Sequence, residues 1–474
     1  MQITKVNEES LLHSNRNYFA SSALLPHGWA DNVLIKVDHF GYIIDVTQDQ
    51  IGKGFTDLHG PVIPGMLNVH SHSFQRAMAG LAERAIGEKD SFWTWREIMY
   101  QFLGKLNPEE LQAIAAQAYV EMLKAGFTTV GEFHYLHHQP DGRPYQDRCL
   151  TSQHIITAAK ETGIGITHMP VLYNCSGFGG QKPEEGQRRF LNNESQIIDI
   201  ISSLLTVYKD DPQVTIGLAH HSLRAVTPEM LQQATAAMQI LNPKAPIHIH
   251  IAEQIKEVND CINWSAQRPV EWLLNNTDIN KHWCLVHATH MTEAETLRLA
   301  HSGAVAGLCP TTEANLGDGL FNLPDYISEK GRFGIGTDSN ISVSMIEELR
   351  TLEYGQRLMR RERAVAKTQT QPSVGASLYQ MALAGGAQAL GRSVGSIEVG
   401  KRADFIALDP NVPSLLYRNN DLILDAMIFA GNMNPIRHVI AGGRHIVQDF
   451  KHIAEDNILE VYAKTIKRLF SNEN

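Results

Sequence analysis

Eight short apolar runs, separated by amphipathic segments, restrict the fold of this 474-residue chain more than any other feature. The runs cover residues 62–70, 128–135, 166–173, 214–221, 246–252, 283–287, 304–309 and 333–337. Nearly continuous apolar runs of this length are typical of strands that are buried on both faces of a parallel sheet. Eight strand-then-helix units in series therefore predict an α/β fold of the (β/α)8 TIM-like barrel type.

The segments between the runs carry the signals of helices. Residues 108–126, for example, begin with Pro108 and two acidic residues and end at Gly126, as amphipathic helices do. A last helical segment, residues 373–390, completes the series of units.

The two ends of the chain show a different pattern. Residues 29–46 and 395–447 contain short alternating apolar and polar stretches between Gly, Asp and Asn residues, which indicates β-hairpins. We expect both ends to combine into one small β-sandwich domain. The predicted organisation is a composite β-sandwich domain of residues 1–60 and 392–452, a barrel of residues 61–391, and a C-terminal helix and tail of residues 453–474.

Composition and charge exclude several classes of protein. The net charge of −10, without a stripe dense in Lys and Arg, argues against a nucleic-acid partner. Neither a basic start followed by an apolar segment nor an apolar run of about 18 residues occurs, so we expect no membrane span and a cytoplasmic location. Five scattered cysteines without a C-x-x-C motif predict neither disulfides nor a zinc cluster of thiolates.

The first apolar run leads into two histidines, His70 and His72. Alternate residues of a strand point to the same face, so both imidazoles can bind one metal ion. With 22 histidines in the chain, chance alone gives about one His-x-His motif, and a core or surface pair is an equally good interpretation. The residues at the remaining strand ends are needed to distinguish a metal site from an ordinary pair of histidines.

Three further strand ends carry suitable side chains. The fifth run contains His250 and is followed by Glu253, the sixth ends at His287, and Asp338 follows the eighth. Alone, His250 would be interpreted as a core histidine and Asp338 as a helix cap. Catalytic groups of a barrel lie together at the carboxyl ends of its strands, so jointly these residues predict a metal site. The histidines that we predict to pack instead are His134, His137, His138, His248 and His290.

On these motifs the sequence resembles the metal-dependent amidohydrolase superfamily. The resemblance covers nearly the whole chain and rests on Pro64-Gly65 before the His-x-His motif, on the strand-end residues above and on the late segment 400–405. Longer and more specific stretches resemble the members that act on an N-formimino amino acid. These stretches are residues 72–83, 91–97, 132–138, 176–180, 221–224 and 309–319.

The resemblance implies one zinc ion per chain, although such ligands also accept iron, manganese or cobalt. The implied ligands are His70, His72, His250 and Asp338. Members with two metals have a carbamylated lysine at the end of the fourth strand. This chain has His220-His221 there and no lysine, so we expect one metal.

The implied reaction is the hydrolysis of N-formimino-L-glutamate to N-formyl-L-glutamate and ammonia, a step of histidine degradation. Ammonia leaves readily only when protonated, so the reaction needs a positioned acid or base. Glu253 is our candidate for this proton shuttle, and its simplest alternative is a helix-start carboxylate. We expect His287 to orient or deprotonate the attacking water, and Asp338 to assist while it binds the metal.

The dicarboxylate substrate is the expected small-molecule partner. A guanidinium group can bind a carboxylate through two parallel hydrogen bonds. Arg96 and Arg224 match the positions with this task in the resembling members, although Arg96 alone could be a surface charge. The expected accompanying hydrogen-bonding residues are Gln75, Tyr135 and His221. A homodimer is the common expectation for such a chain. Residues 73–104 form the candidate lid.

Two other functions stay open at this point. The first is a deaminase or hydrolase of a purine, pterin or triazine ring, whose pocket would favour aromatic stacking over two arginines. The second is a non-catalytic barrel that serves as a binding scaffold. Loss of a metal ligand or of the acid would favour the scaffold, whereas this sequence has Glu253, His287 and every predicted ligand.

Overall fold

The computed structural model describes residues 16–81, 83 and 92–471. The first 15 residues of the predicted composite domain, part of the predicted lid and the last three residues therefore lie outside the described part. Strands β1–β18 span, in order, Arg16–Leu25, Gly28–Val37, Ile43–Thr47, Thr56–Asp57, Pro61–Pro64, Met66–Ser71, Phe127–His134, Gly165–Leu172, Val214–Ile216, Leu218–Ser222, Ile247–Ile251, Trp283–His287, Val305–Leu308, Arg332–Ile335, Phe405–Leu408, Ile436–Ala441, Arg444–Gln448 and Lys451–His452.

Helices alternate with the strands through the middle of the chain. Helices α1–α14 span Phe92–Leu103, Pro108–Lys124, Leu150–Thr162, Glu194–Val207, Pro228–Leu241, Ile255–Ser265, Pro269–Asn276, Glu293–Ser302, Pro310–Leu316, Leu323–Ser328, Met345–Arg360, Val374–Ala389, Asp421–Phe429 and Glu455–Phe470. Two 3-10 helices cover Ser73–Met78 and Glu185–Gln187. Among the described helices, none has the length and the apolar character that a membrane crossing requires.

A closed parallel barrel confirms the predicted fold class. Its sheet runs from β10 through β11, β12, β13, β14, β6, β7 and β8 to β9, and β10 also pairs with β8. The closing contact between the last and first strands joins Ile335 to Asn68. Strands β9 and β10 together form the fourth barrel strand, which is interrupted at Gly217. The carboxyl ends of the strands consequently meet at one mouth.

The predicted first strand, residues 62–70, is divided between two sheets, which corrects that prediction. β5 belongs to the sheet of the chain ends, where it pairs with β15 and β1. β6 belongs to the barrel. The chain changes sheet at Gly65, where an added Cβ would collide with the side chain of Thr128.

The second sheet unites both ends of the chain, as the fold class predicted. Its order is β18-β17-β16-β15-β5-β1-β2-β3, with β4 beside β1, and most neighbouring strands are antiparallel. Buried apolar side chains from both chain ends, including Tyr18, Ile35, Phe405 and Ile440, form its core. The two halves of this sheet therefore depend on each other for burial.

Two helices show how the sequence fixes the elements around the barrel. Helix α2 begins at Pro108, as predicted, and Asn107 and Glu110 form a reciprocal capping box at its start. Helix α12 packs against β14 and β6, so that its carboxyl end reaches the barrel interior. There the carbonyl oxygen of Ala389 lies 2.7 Å from His248 Nε2.

Candidate metal centre and substrate pocket

Four predicted ligands meet at the mouth of the barrel. His70 Nε2 lies 3.2 Å from His72 Nε2 and 2.9 Å from His250 Nε2. Asp338 Oδ1 lies 3.3 Å from the Nε2 atoms of both His70 and His72. All four residues are buried, and their donor atoms lie within 4.8 Å of one another. Strand ends that are distant in the sequence thus form one compact donor cluster.

The chemistry of these donors fits a metal ion. His72 Nδ1 lies 3.0 Å from the carbonyl oxygen of Phe133 and must carry a proton to bond with it, so the Nε2 lone pair faces the cluster. Burial lowers the pKa of His70 to about 3, which keeps this imidazole in the neutral form that binds metals. Three imidazoles and one carboxylate are typical of zinc and also suit iron or manganese.

The backbone around the cluster adopts conformations that non-glycine residues rarely take. Ala252, His287 and Asp338 have φ angles of +51°, +68° and +45°. The backbone N–H of Asp338 donates to the carbonyl oxygen of His70 over 2.9 Å. Asn340 Nδ2 donates to the carbonyl oxygens of both His72 and Asp338. These bonds fix the eighth strand end against the first and hold the ligands at short range.

The predicted acid and base lie directly beside the cluster. His287 Nε2 is 3.7 Å from Glu253 Oε1 and 3.8 Å from Asp338 Oδ2. Burial raises the pKa of Glu253 to about 7. Burial alone would lower the pKa of His287, but the carboxylates of Glu253, Glu313 and Asp338 raise it to about 10. Near neutral pH His287 therefore keeps its proton, whereas Glu253 can take up or release one.

Two buried carboxylates that the sequence analysis did not single out position these groups. Glu257 accepts hydrogen bonds from the backbone N–H groups of Ala252 and Glu253, each over 3.1 Å. Glu313 Oε1 lies 3.3 Å from His287 Nδ1 and accepts the backbone N–H of Cys309 over 2.9 Å. In the sequence, the signal for Glu257 is its position one helical turn beyond Glu253. The signal for Glu313 is its place within the 309–319 stretch.

A pocket opens at the cluster, lined in part by His72, Glu253 and Asp338. All five residues predicted to bind the substrate also line it, namely Gln75, Arg96, Tyr135, His221 and Arg224. Tyr100, Tyr173 and Phe190 line it as well and were not predicted. The structure therefore brings the predicted substrate and catalytic residues together, and their individual roles stay predictions.

Charges and hydrogen bonds within the pocket suit an anionic ligand. Burial would lower the pKa of Arg224, but nearby acidic groups, first among them Glu257, raise it, so this guanidinium is charged. Arg96 extends from helix α1 and lies 3.6 Å from the carboxylate of Glu184. Gln75 Nε2 donates to the hydroxyl of Tyr135 over 3.2 Å. Two guanidinium groups and neutral donors consequently face one cavity.

The predicted packing histidines lie away from the donor cluster. His134 Nε2 is 3.1 Å from the hydroxyl of Thr151, and His248 bonds within the barrel to Ala389. His137 and His138 each direct Nε2 at a backbone carbonyl oxygen. Within the described part of the chain, no group of residues that could hold a metal includes any of these four or His290. Of the predicted lid, residues 82 and 84–91 lie outside the described residues.

Comparisons with known proteins show which family this chain resembles. A model described as the amidohydrolase family matches residues 62–446. The chain is 49% identical to a formimidoylglutamate deiminase of Pseudomonas aeruginosa over 451 residues, covering 95% of this chain and 99% of the relative. An amidohydrolase from Brucella melitensis matches with a TM-score of 0.91 and 44% identity, covering 96% of this chain and 100% of the other.

A more distant solved structure shares the fold alone. It is an adenosine deaminase from Xanthomonas campestris with bound zinc, which matches with a TM-score of 0.78 and 20% identity. The match covers 96% of this chain and 98% of the other.

Proposed function

This chain belongs to the amidohydrolase family and is a hydrolase that acts on carbon–nitrogen bonds, and on that premise we propose its substrate. The substrate is N-formimino-L-glutamate, which the enzyme hydrolyses to N-formyl-L-glutamate and ammonia, a step of histidine degradation. The observation that carries the proposal is that Arg96 and Arg224 line the same pocket as Glu253 and Asp338. A substrate with two carboxylates and a formimino group uses both features at once.

One zinc ion per chain, held by His70, His72, His250 and Asp338, is the metal that we propose. When bound, zinc lowers the pKa of water towards neutrality and acts as a Lewis acid. Support comes from the three imidazoles and one carboxylate of the donor cluster. The chain has no lysine at the end of its fourth strand, so the proposal needs no second metal for the reaction.

Glu253 carries out the proton transfers in this proposal, and His287 supports it electrostatically. Glu253 accepts a proton from the water that attacks the trigonal formimino carbon and delivers it to the departing nitrogen. His287, held by Glu313 at Nδ1, presents Nε2 to Glu253 and Asp338 and stabilises their negative charge. The guanidinium groups meanwhile keep the substrate in one orientation.

The first test is ammonia release by purified protein whose metal content has been quantified. We expect rapid release from N-formimino-L-glutamate, slower release from N-formimino-L-aspartate, and none from guanine or adenosine. The shorter dicarboxylate cannot reach both arginines in the same geometry. Release from a ring substrate alone would replace this proposal with a ring deaminase, and inactivity of the metal-loaded protein on all four compounds would favour a scaffold.

Arg224→Met should weaken recognition of the dicarboxylate. We expect kcat/KM for N-formimino-L-glutamate to fall by about 10- to 100-fold, because a charged hydrogen-bond partner is worth about 1.5 to 3 kcal/mol. N-Formimino-4-aminobutanoate, which lacks one carboxylate, provides the matched comparison. The preference of the wild type for the dicarboxylate should shrink in the variant if Arg224 binds the missing carboxylate.

Lys256→Met is the control for this substitution. Lys256 contributes a cation to the neighbouring surface pocket but does not line the catalytic one. Its kcat/KM should therefore change much less than that of Arg224→Met. Unchanged kcat/KM in Arg224→Met itself would remove this arginine from substrate binding.

A further inference from the structure

Beside the first donor cluster, the structure holds a second group of residues that can bind a metal. His287, Cys309 and Asp338 are buried, and their donor atoms lie within 4.8 Å of one another. We propose that these three residues form an inhibitory site for a thiophilic divalent cation such as Zn²⁺ or Cd²⁺. Cys309 has no part in the proposed reaction, so this site goes beyond that function.

The orientation of Asp338 allows both groups to be occupied together. Its Oδ1 lies 3.3 Å from the Nε2 atoms of His70 and His72, within the first cluster. Its other oxygen, Oδ2, lies 3.8 Å from His287 Nε2. The two oxygens of this carboxylate therefore lie near different groups, and the proposal assigns one oxygen to each cation.

The donor set determines which cations fit. A thiolate, an imidazole and a carboxylate suit Zn²⁺ and Cd²⁺, whereas Mg²⁺ and Ca²⁺ prefer oxygen ligands alone. Cys309 is fully buried, and burial raises the pKa of its thiol. Coordination forms bonds from the metal to the sulfur of Cys309 and to the imidazole of His287, and the protons of the thiol and of the charged imidazole are released to solvent.

Occupation of this site should stop turnover, and this part of the inference rests on the proposed function. His287 Nε2 lies 3.7 Å from Glu253 Oε1, so the two groups act as neighbours. A cation bound to His287 would occupy its imidazole, so this side chain could no longer contact Glu253 as the proposed reaction requires.

The experiment titrates Cd²⁺ into protein that already contains one metal ion per chain. Bound cadmium is counted by elemental analysis after gel filtration, the cadmium–thiolate charge-transfer band is followed in the ultraviolet, and ammonia release is measured in parallel. We expect a second equivalent to bind, the band to grow with it, and turnover to fall. Mg²⁺ at the same concentration should do none of these.

Cys309→Ser is the test variant, and Cys284→Ser is its matched control. Cys284 is buried in the same apolar cluster as Cys309 but is not part of the metal group. Cys309→Ser should lose the band and require more than about tenfold more Cd²⁺ for half inhibition, since ligand changes alter metal affinity at least that much. Cys284→Ser should behave like the wild type, each variant being compared with its own uninhibited rate.

Three results would overturn the inference. They are a band that survives in Cys309→Ser, equal inhibition of both variants, and cadmium that merely exchanges with the first metal so that the total stays at one equivalent. If Cys309→Ser does not fold, Cys309→Ala replaces it in the same measurements. The band and the stoichiometry decide the binding site even if the protein is inactive on N-formimino-L-glutamate, which separates this inference from the proposed function.

Discussion

Replacing Glu253 with glutamine is expected to lower kcat for ammonia release by about a thousandfold while the metal stays bound. Glutamine has nearly the same shape but cannot carry the proton, and a positioned acid or base contributes about 10²- to 10⁴-fold to a rate. Glu253 is not a member of the donor cluster, so its loss should leave the metal content unchanged. Single-turnover ammonia release and elemental analysis of the same sample measure both quantities.

Glu253→Asp is the informative companion variant. It keeps the acid but withdraws it by one methylene group from His287, to which the Glu253 carboxylate now lies 3.7 Å away. We expect activity between that of wild type and Glu253→Gln, because the chemistry is retained and only the geometry is impaired. Near-normal turnover of Glu253→Gln with bound metal would remove Glu253 from the mechanism.

The barrel could be predicted from sequence because its strands are buried on both faces. That burial produces the nearly continuous apolar runs, and such runs can be recognised without knowledge of tertiary contacts. Predicting where two of the strands are interrupted does require that knowledge. Gly65 turns the chain from one sheet to the other against Thr128, and Gly217 splits the fourth barrel strand beside the backbone of Pro246. Neither glycine differs in sequence from one in an ordinary loop.

The convergence of the donor cluster could be predicted for a related reason, since a barrel brings the carboxyl ends of all its strands to one mouth. The positions of Glu257 and Glu313 could not. The role of each depends on where its side chain points in the folded protein. Glu257 accepts a hydrogen bond from the backbone of a turn in which Ala252 has a φ of +51°, and no local sequence pattern specifies that conformation. Helix composition alone would interpret each carboxylate as an ordinary first-turn acid.

Cysteine spacing shows the same limit. The absence of a C-x-x-C motif predicts that thiolates form no zinc cluster of their own. In the structure all five cysteines are free thiols and are buried. Spacing does not reveal that Cys309 lies beside His287 and Asp338, because these three residues lie at the ends of three different barrel strands. A mixed donor group assembled across strands becomes visible only in the folded chain.

Removing the metal is expected to abolish ammonia release and to lower the melting temperature. Chelation would leave three imidazole Nε2 atoms and a carboxylate facing one another within 4.8 Å, without the cation that these donors suit. A ligand present at about 1,000 times its Kd stabilises the folded state by about 4 kcal/mol, and this contribution would be lost. Re-addition of Zn²⁺ should restore both properties at about one ion per chain, followed by calorimetry and elemental analysis.

A pair of substitutions on one strand separates metal binding from mere loss of a buried histidine. His250→Asn removes a member of the donor cluster, whereas His248→Asn changes another buried histidine, two residues earlier, that bonds to the carbonyl oxygen of Ala389. Both variants should lose stability, because each alters a packed interior. Only His250→Asn should also lose metal and turnover. If His248→Asn lost as much metal, or if His250→Asn kept its metal, the donor cluster would be a hydrogen-bonded histidine network and the hydrolytic proposal would need a different source of activated water.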